Sequence, residues 1–205
     1  MKRTSMLLVV MATLSGCAGL GQSDAQRSST LADIKAKLGL GRCDMSLAED
    51  VLSMRRPALE QEAAYLCLQK GELDVVEHLL EGFHKRYPDA AYADYSAYLA
   101  ALNLFMRFEA SLGDEQQRLA TGRAAHAALV GFVRKYPQSE YRSEVAPRLQ
   151  QILEGMAMAE LVLARELAEA GDPAGAEARM RYLISGYPLT EAASDARAWL
   201  ELRPD

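Results

Sequence analysis

From about residue 30 onward, apolar residues recur three or four positions apart, and no convincing two-residue alternation interrupts them. That spacing is the signature of helices with one buried face. Val75, Val76, Leu79, Leu80 and Phe83 share one broad face of a helix expected from about Leu73 to Arg86, stopped by Pro88. A helix before it is expected from Pro57, suited to a first turn, to about Lys70, with Gly71 as its C-cap. Ser46 and Glu49 make a capping-box pattern ahead of Val51 and Leu52. Farther on, Val145, Leu149, Ile152, Leu153, Met156, Leu161 and Leu163 mark one long stretch over residues 140–170. Pro147 either sits in the first turn of a helix starting near Ser143 or kinks one starting at Ser139. The fold class expected is all-α.

The helical pattern also repeats itself. Tyr-Pro occurs at Tyr87-Pro88, Tyr136-Pro137 and Tyr187-Pro188, at intervals of 49 and 51 residues. Phe83, Phe132 and Leu183 lie four positions before each Tyr, one helical turn back. Tyr92, Tyr141 and Ala192 lie five after it, and Glu77 aligns with Glu177. Gly71 and Gly171 both lie sixteen before a repeat Tyr, and each is followed by an acid. Each copy therefore reads as an αα-hairpin. Its second helix carries the apolar stripe, the Tyr ring covers the end of that stripe, and Pro terminates the helix. Ser139 and Thr190 are N-cap candidates for the helices that follow. Tyr136 and Tyr187 are expected to be largely buried where hairpins meet. Such hairpins cannot cover their own apolar faces, so they stack into a superhelix. Tetratricopeptide repeats have this design with a period near 34, so the connecting helices here must be longer. Residues 30–205 are assigned to this array.

The N-terminus has a different character. Lys2 and Arg3 precede the apolar run Met6-Leu7-Leu8-Val9-Val10-Met11-Ala12, and Leu14-Ser15-Gly16 lead into Cys17. This is the order of an export signal, and the run is too short to span a bilayer. The Leu-Ser-Gly-Cys ending resembles the lipobox of bacterial lipoproteins. Residues 1–16 are then a removed signal peptide, Cys17 the lipid attachment site, and residues 17–29, small and polar, a flexible tether. Two or more acyl chains make a firm anchor. Ala18 rather than Asp after the cysteine favours the outer membrane, facing the periplasm. Loss of Lys2 and Arg3 leaves 21 basic and 28 acidic residues, a net charge of −7. An acidic body binds neither phosphate backbones nor anionic membranes by charge, so nucleic acid is excluded as a partner. Cys43 and Cys67 would meet an oxidising compartment and could pair, or could be buried separately as small hydrophobes.

With these elements in place the chain resembles the BamD family of lipoproteins of the outer-membrane β-barrel assembly machinery. The resemblance rests on the lipobox, on Asp94-Tyr95-Ser96-Ala97-Tyr98-Leu99, on Arg123-Ala124-Ala125 through Phe132-Val133-Arg134-Lys135-Tyr136-Pro137-Gln138-Ser139-Glu140-Tyr141, and on Arg148-Leu149. It continues through Ala159-Glu160, Glu169-Ala170-Gly171-Asp172, Ala176, Arg179 and Tyr187-Pro188-Leu189-Thr190. It implies a non-catalytic scaffold whose C-terminal repeats, residues 140–202, dock on the barrel-forming subunit. Accessory lipoproteins and unfolded outer-membrane proteins are its further implied partners. The family carries one more hairpin at its start; here residues 31–56 lack Tyr-Pro, so that repeat is short or degenerate. The alternative is another periplasmic repeat lipoprotein, such as a secretin pilotin or an envelope-division coordinator. No phosphate loop, metalloprotease or hydrolase motif occurs. His78, His84 and His126 lack metal-ligand spacing, so neither a metal, a cofactor nor a catalytic residue is expected. The Tyr92, Tyr95, Tyr98 stripe reads as packing between repeats before it reads as a peptide groove.

Overall fold

Glycines, prolines and short polar turns divide the chain into helical hairpins. The computed structural model describes residues 24–202, so the signal peptide, Cys17 and residues 18–23 lie outside the described part. An N-terminal pair comes first, α1 (Asp24–Gly39) and α2 (Met45–Ser53). The first hairpin is α3 (Pro57–Lys70) with α4 (Leu73–Leu80) and α5 (Phe83–Arg86). The second is α6 (Ala93–Ala110) with α7 (Glu115–Lys135). The third is α8 (Val145–Glu169) with α9 (Pro173–Gly186), and α10 (Glu191–Glu201) closes the array. All described elements are helical, as the periodicity requires.

The repeat reaches down to individual hydrogen bonds. Tyr87, Tyr136 and Tyr187 each donate their backbone N–H to the carbonyl four residues back, on Phe83, Phe132 and Leu183, at 2.8–2.9 Å. Each Tyr carbonyl then accepts from the N–H three residues on, from Ala90, Ser139 and Thr190. Gly71 and Gly171 sit in the left-handed region, at φ 77° and 83°, and turn the first and third hairpins where a side chain would strain the backbone. Thr190 caps α10 by accepting from the Ala193 N–H. Ser139 caps a 3₁₀ turn, Glu140–Glu144, that leads into α8. Because α8 begins at Val145, Pro147 occupies its first turn, where a missing N–H costs nothing.

Several local expectations are corrected. The N-cap of α2 is Asp44, whose Oδ1 accepts from the Leu47 N–H at 2.9 Å; Ser46 lies inside the first turn. The helix expected from Leu73 to Arg86 is two pieces, because Gly82 adopts φ 63°. Arg86 repairs that break by donating to the Leu79 carbonyl at 2.8 Å and to the Glu81 carbonyl. Residues 24–29, expected as tether, are helical, with the Ser28 and Thr30 hydroxyls bonded back to carbonyls of the preceding turn. Tyr187 is buried at 9% exposure, but Tyr136 and Tyr87 are only half-buried. Pro88, Pro137 and Pro188 are all exposed, so they stop helices without joining the packing. The buried repeat residues are Phe83, Phe132, Leu183 and Tyr187.

Two apolar clusters meet at α6. One gathers α1 to α5 and takes Leu99; the other gathers α6 to α10 and includes Tyr98, Ala101, Phe105 and Phe108. The long helix α8 packs on α7 and also on α9 and α10, so one rod holds two repeats in fixed orientation. Its close approach depends on Gly155. A Cβ there would lie 2.5 Å from Phe108 Cζ and 2.7 Å from Arg118 Nη2. The Arg118 guanidinium stacks 4.2 Å from the Phe108 ring centre and closes the same contact. Near the other end, Cys43 and Cys67 are joined, with Cα atoms 5.4 Å apart.

Two stability outcomes follow. Tyr187→Ala should cost about 3 kcal/mol, because a buried aromatic leaves a cavity, whereas half-buried Tyr136→Ala should cost about 1 kcal/mol. Equal losses in denaturant titrations would contradict the difference in burial. Gly155→Ala should destabilise by about 1–3 kcal/mol, since Phe108 or Arg118 must shift. An unchanged midpoint would show that the contact yields freely.

Candidate interaction surfaces

A groove opens between the first and second hairpins. Its floor is a run of small residues on α6, Ala93, Ala97, Ala100 and Ala101, set one and two turns apart on one face. Leu80 and Phe83 form one wall, and Ala128, Gly131 and Phe132 of α7 form the other. Small side chains facing two apolar walls leave a volume of about 270 Å³, room for a large apolar or aromatic side chain. The half-exposed Tyr136 ring, with His84 and Lys135, stands at the rim. This is why Tyr136 is less buried than its repeat position promised: it borders an opening, while Tyr187 lies within the second apolar cluster. The Lys135 cation at the rim suits a partner carrying carboxylates, against the acidic background of the chain.

The hairpins that frame this groove are held by polar contacts the sequence gave no direct sign of. Glu60 on α3 is 0% exposed, and its two oxygens accept from the Tyr87 hydroxyl at 2.6 Å and from Arg86 Nη2 at 2.8 Å. The charge is therefore matched and bonded, as a buried carboxylate must be. Gln61 donates to the Ser96 hydroxyl at 2.7 Å and to the Tyr92 carbonyl at 3.0 Å, tying α3 to the start of α6. The tyrosine stripe is packing in two of its three members. Tyr98 stacks on Tyr141 with centroids 4.8 Å apart and donates to Glu144 at 2.8 Å; Tyr95 lies 5.3 Å from Tyr141. Burial, and then the Glu144 carboxylate, push the Tyr98 hydroxyl up to about 12, so it stays a donor. Tyr92 is exposed and starts α6 in the left-handed region, at φ 57°.

A second surface lies at the C-terminal end. Tyr182 is 52% exposed and Leu189, in the turn after the last Tyr-Pro, is 93% exposed. Arg181 stands nearby and pairs with Glu177 at 2.7 Å. Arg179 is drawn inward rather than presented at this surface. Its Nε lies 3.4 Å from Oε2 of the buried Glu160. Burial raises the Glu160 carboxyl above the usual carboxylate range, and Arg179 and Arg123 oppose that shift. Trp199 is partly buried against the second cluster, so it contributes to the core more than to the surface.

Helical spacing of Ala on α6 is the sequence signal for the groove, and it is an ambiguous one because alanine is also the commonest helix filler. Glu60 carried no signal, since its partners lie 26 and 27 residues away. Among the described residues, no group of His, Cys, Asp and Glu is arranged to hold a metal. None of the described helices is long and apolar enough to cross a membrane.

Comparison with known proteins gives a consistent result. The model of the YfiO family, described as outer membrane lipoprotein, matches residues 52–202 and so covers all three Tyr-Pro hairpins. The chain is 24% identical over 147 residues to the outer membrane protein assembly factor BamD of Neisseria gonorrhoeae, which is 69% of this chain and 55% of that one. The BamD of Neisseria meningitidis serogroup A matches with the same identity and coverage. The chain thus spans about half the length of the curated relatives it matches. With the family model running across every hairpin that carries the Tyr-Pro repeat, the chain belongs to the YfiO family of outer membrane lipoproteins.

Proposed function

We propose that this chain is a non-catalytic, lipid-anchored scaffold that assists outer-membrane β-barrel assembly from the periplasmic face of the outer membrane. The observation that carries this reading is the family match over residues 52–202, which includes both the groove and the C-terminal face. Relatives that match the chain over 147 residues are named as outer membrane protein assembly factors. Cys17 is the proposed attachment site. Covalent geometry limits its distance from Asp24 to about 25 Å, so the N-terminal pair would sit close to the membrane. The groove beside Tyr136 is assigned to an apolar or aromatic side chain of an unfolded barrel protein. The face with Tyr182 and Leu189 is assigned to the barrel-forming subunit, with accessory lipoproteins as further partners. An exposed aromatic and an exposed leucine ringed by charge have the make-up of an interface anchor and its rim.

Removal of the terminal segment 190–205 is a poor test of docking, because α10 buries Ala192, Ala193 and Ala196 in the core. Surface substitution is cleaner. Tyr182→Ala combined with Leu189→Asp should leave the helical content unchanged and weaken co-purification with the barrel subunit by about 2 kcal/mol or more, near 30-fold. Wild-type recovery of the complex would move the docking face elsewhere. For the anchor, Cys17→Ala should appear in the soluble periplasmic fraction or as an uncleaved precursor. Membrane fractionation decides it: cleaved variant in the outer membrane at wild-type level would rule out lipidation at Cys17.

A further inference from the structure

The N-terminal pair is attached to the array differently from the other hairpins. Of the sixteen residues of α1, Ile34 and Leu38 are the buried ones, and α2 adds Leu47, Ala48 and Val51. By contrast α8 buries Val145, Ile152, Met156, Ala157, Ala159, Leu161 and Ala164 along its length. Helix α1 rests mainly on α2, and α2 in turn packs on α3 and α4. The ion pairs that cross from α1 are weak. Lys37 reaches Asp50 at 3.5 Å and Lys35 reaches Glu62 at 3.9 Å, and the carboxylates are substantially exposed. The bond between Cys43, in the α1–α2 turn, and Cys67, in the last turns of α3, is the covalent link that closes this region.

We infer that the Cys43–Cys67 disulfide is a thiol-exchange site that latches the N-terminal helical pair onto the first hairpin, and that its reduction lets residues 24–53 open as a unit. The two sulfurs differ in access. Cys43 is partly exposed, whereas Cys67 is 1% exposed within the apolar cluster. A dithiol reductant would therefore attack Cys43 Sγ, form a mixed disulfide there and release Cys67 as thiolate. The reductant's second thiolate then attacks its own sulfur in the mixed disulfide and frees Cys43. Two electrons and two protons pass from the dithiol to the cysteines, and the reductant leaves as its disulfide. A disulfide-bearing oxidant runs the sequence backwards and closes the latch after export. A reduced Cys67 remains a small buried hydrophobe, so α3 keeps its packing. What changes is the chain on the other side of the bond. The pair then depends on a handful of apolar side chains and exposed ion pairs, which places it among the regions that open locally before the fold does. Opening would uncover apolar residues of α3 and α4 that now share a cluster with Leu47, Ala48 and Val51. This inference rests on the fold and on the proposed export of the chain, and is independent of the docking assignment.

Amide hydrogen exchange on the mature full chain, oxidised and after dithiothreitol treatment, tests it. Exchange over residues 24–53 should become at least tenfold faster on reduction, while residues 93–201 change by less than twofold. Oxidised dithiothreitol should restore the slow exchange. A Cys43→Ser, Cys67→Ala double variant should behave like the reduced protein whether or not reductant is present. The inference fails if the bond survives excess dithiothreitol in the folded protein. It also fails if residues 24–53 keep their protection without the bond, or if protection is lost equally across residues 93–201.

Discussion

An αα-hairpin always leaves an apolar face that it cannot cover itself, and that shortage organises this molecule. Each hairpin is completed by the next, and the array can end only where a helix offers apolar residues on one side and polar ones on the other. At the C-terminal end α10 does this with alanines, Ala192, Ala193 and Ala196, facing inward. At the N-terminal end α1 and α2 do it with Ile34, Leu38, Leu47, Ala48 and Val51. Between them α6 belongs to both apolar clusters, giving Leu99 to one and Tyr98, Ala101, Phe105 and Phe108 to the other. The two clusters are thus one continuous stack in which α6 is the shared wall.

That wall is also where the stack is imperfect, and the imperfection has a cause. Alanines on the α6 face toward α4 and α7 are too small to fill the gap between Phe83 and Phe132. Tyr136, whose repeat position asks for burial, therefore borders an opening. The equivalent Tyr187 meets no such gap and is buried, and burial drives its hydroxyl up to about 12. One motif thus does two things according to the neighbours of its ring. The backbone turn is the same in all three copies, while the side-chain environment is not.

The repeat boundaries were legible because they rest on local chemistry. Proline halts a helix wherever it falls, a left-handed residue favours glycine, and an i to i+4 apolar stripe marks the buried face; Gly71, Gly171, Thr190 and the three Tyr-Pro pairs all follow from such rules. Gly82 obeys the same rule, but the strong apolar stripe from Val75 to Phe83 ran straight across it and masked the break. Asp44 lost to Ser46 because both are capping residues two positions apart, and only backbone geometry chooses between them. The groove, the Glu60 network and the fit of Gly155 against Phe108 were not legible. They depend on which helices become neighbours, and the sequence spacing of a repeat does not encode that.

The order of parts along the chain limits how the scaffold can act. The proposed anchor at Cys17 precedes α1, the groove lies between the first two hairpins, and the Tyr182 and Leu189 face lies at the far end. On the proposed reading, any load between membrane and partner would run the length of the stack. Helix α8 is suited to carry it, because it touches α7 on one side and α9 and α10 on the other, and its Gly155 contact leaves no slack against Phe108. The N-terminal pair is the weaker joint, since α1 reaches the array mainly through α2. A covalent bond placed at that joint, between Cys43 and Cys67, makes mechanical sense where noncovalent packing is thin. Rigidity of the stack and the state of that bond would then set together how the groove is presented to whatever occupies it.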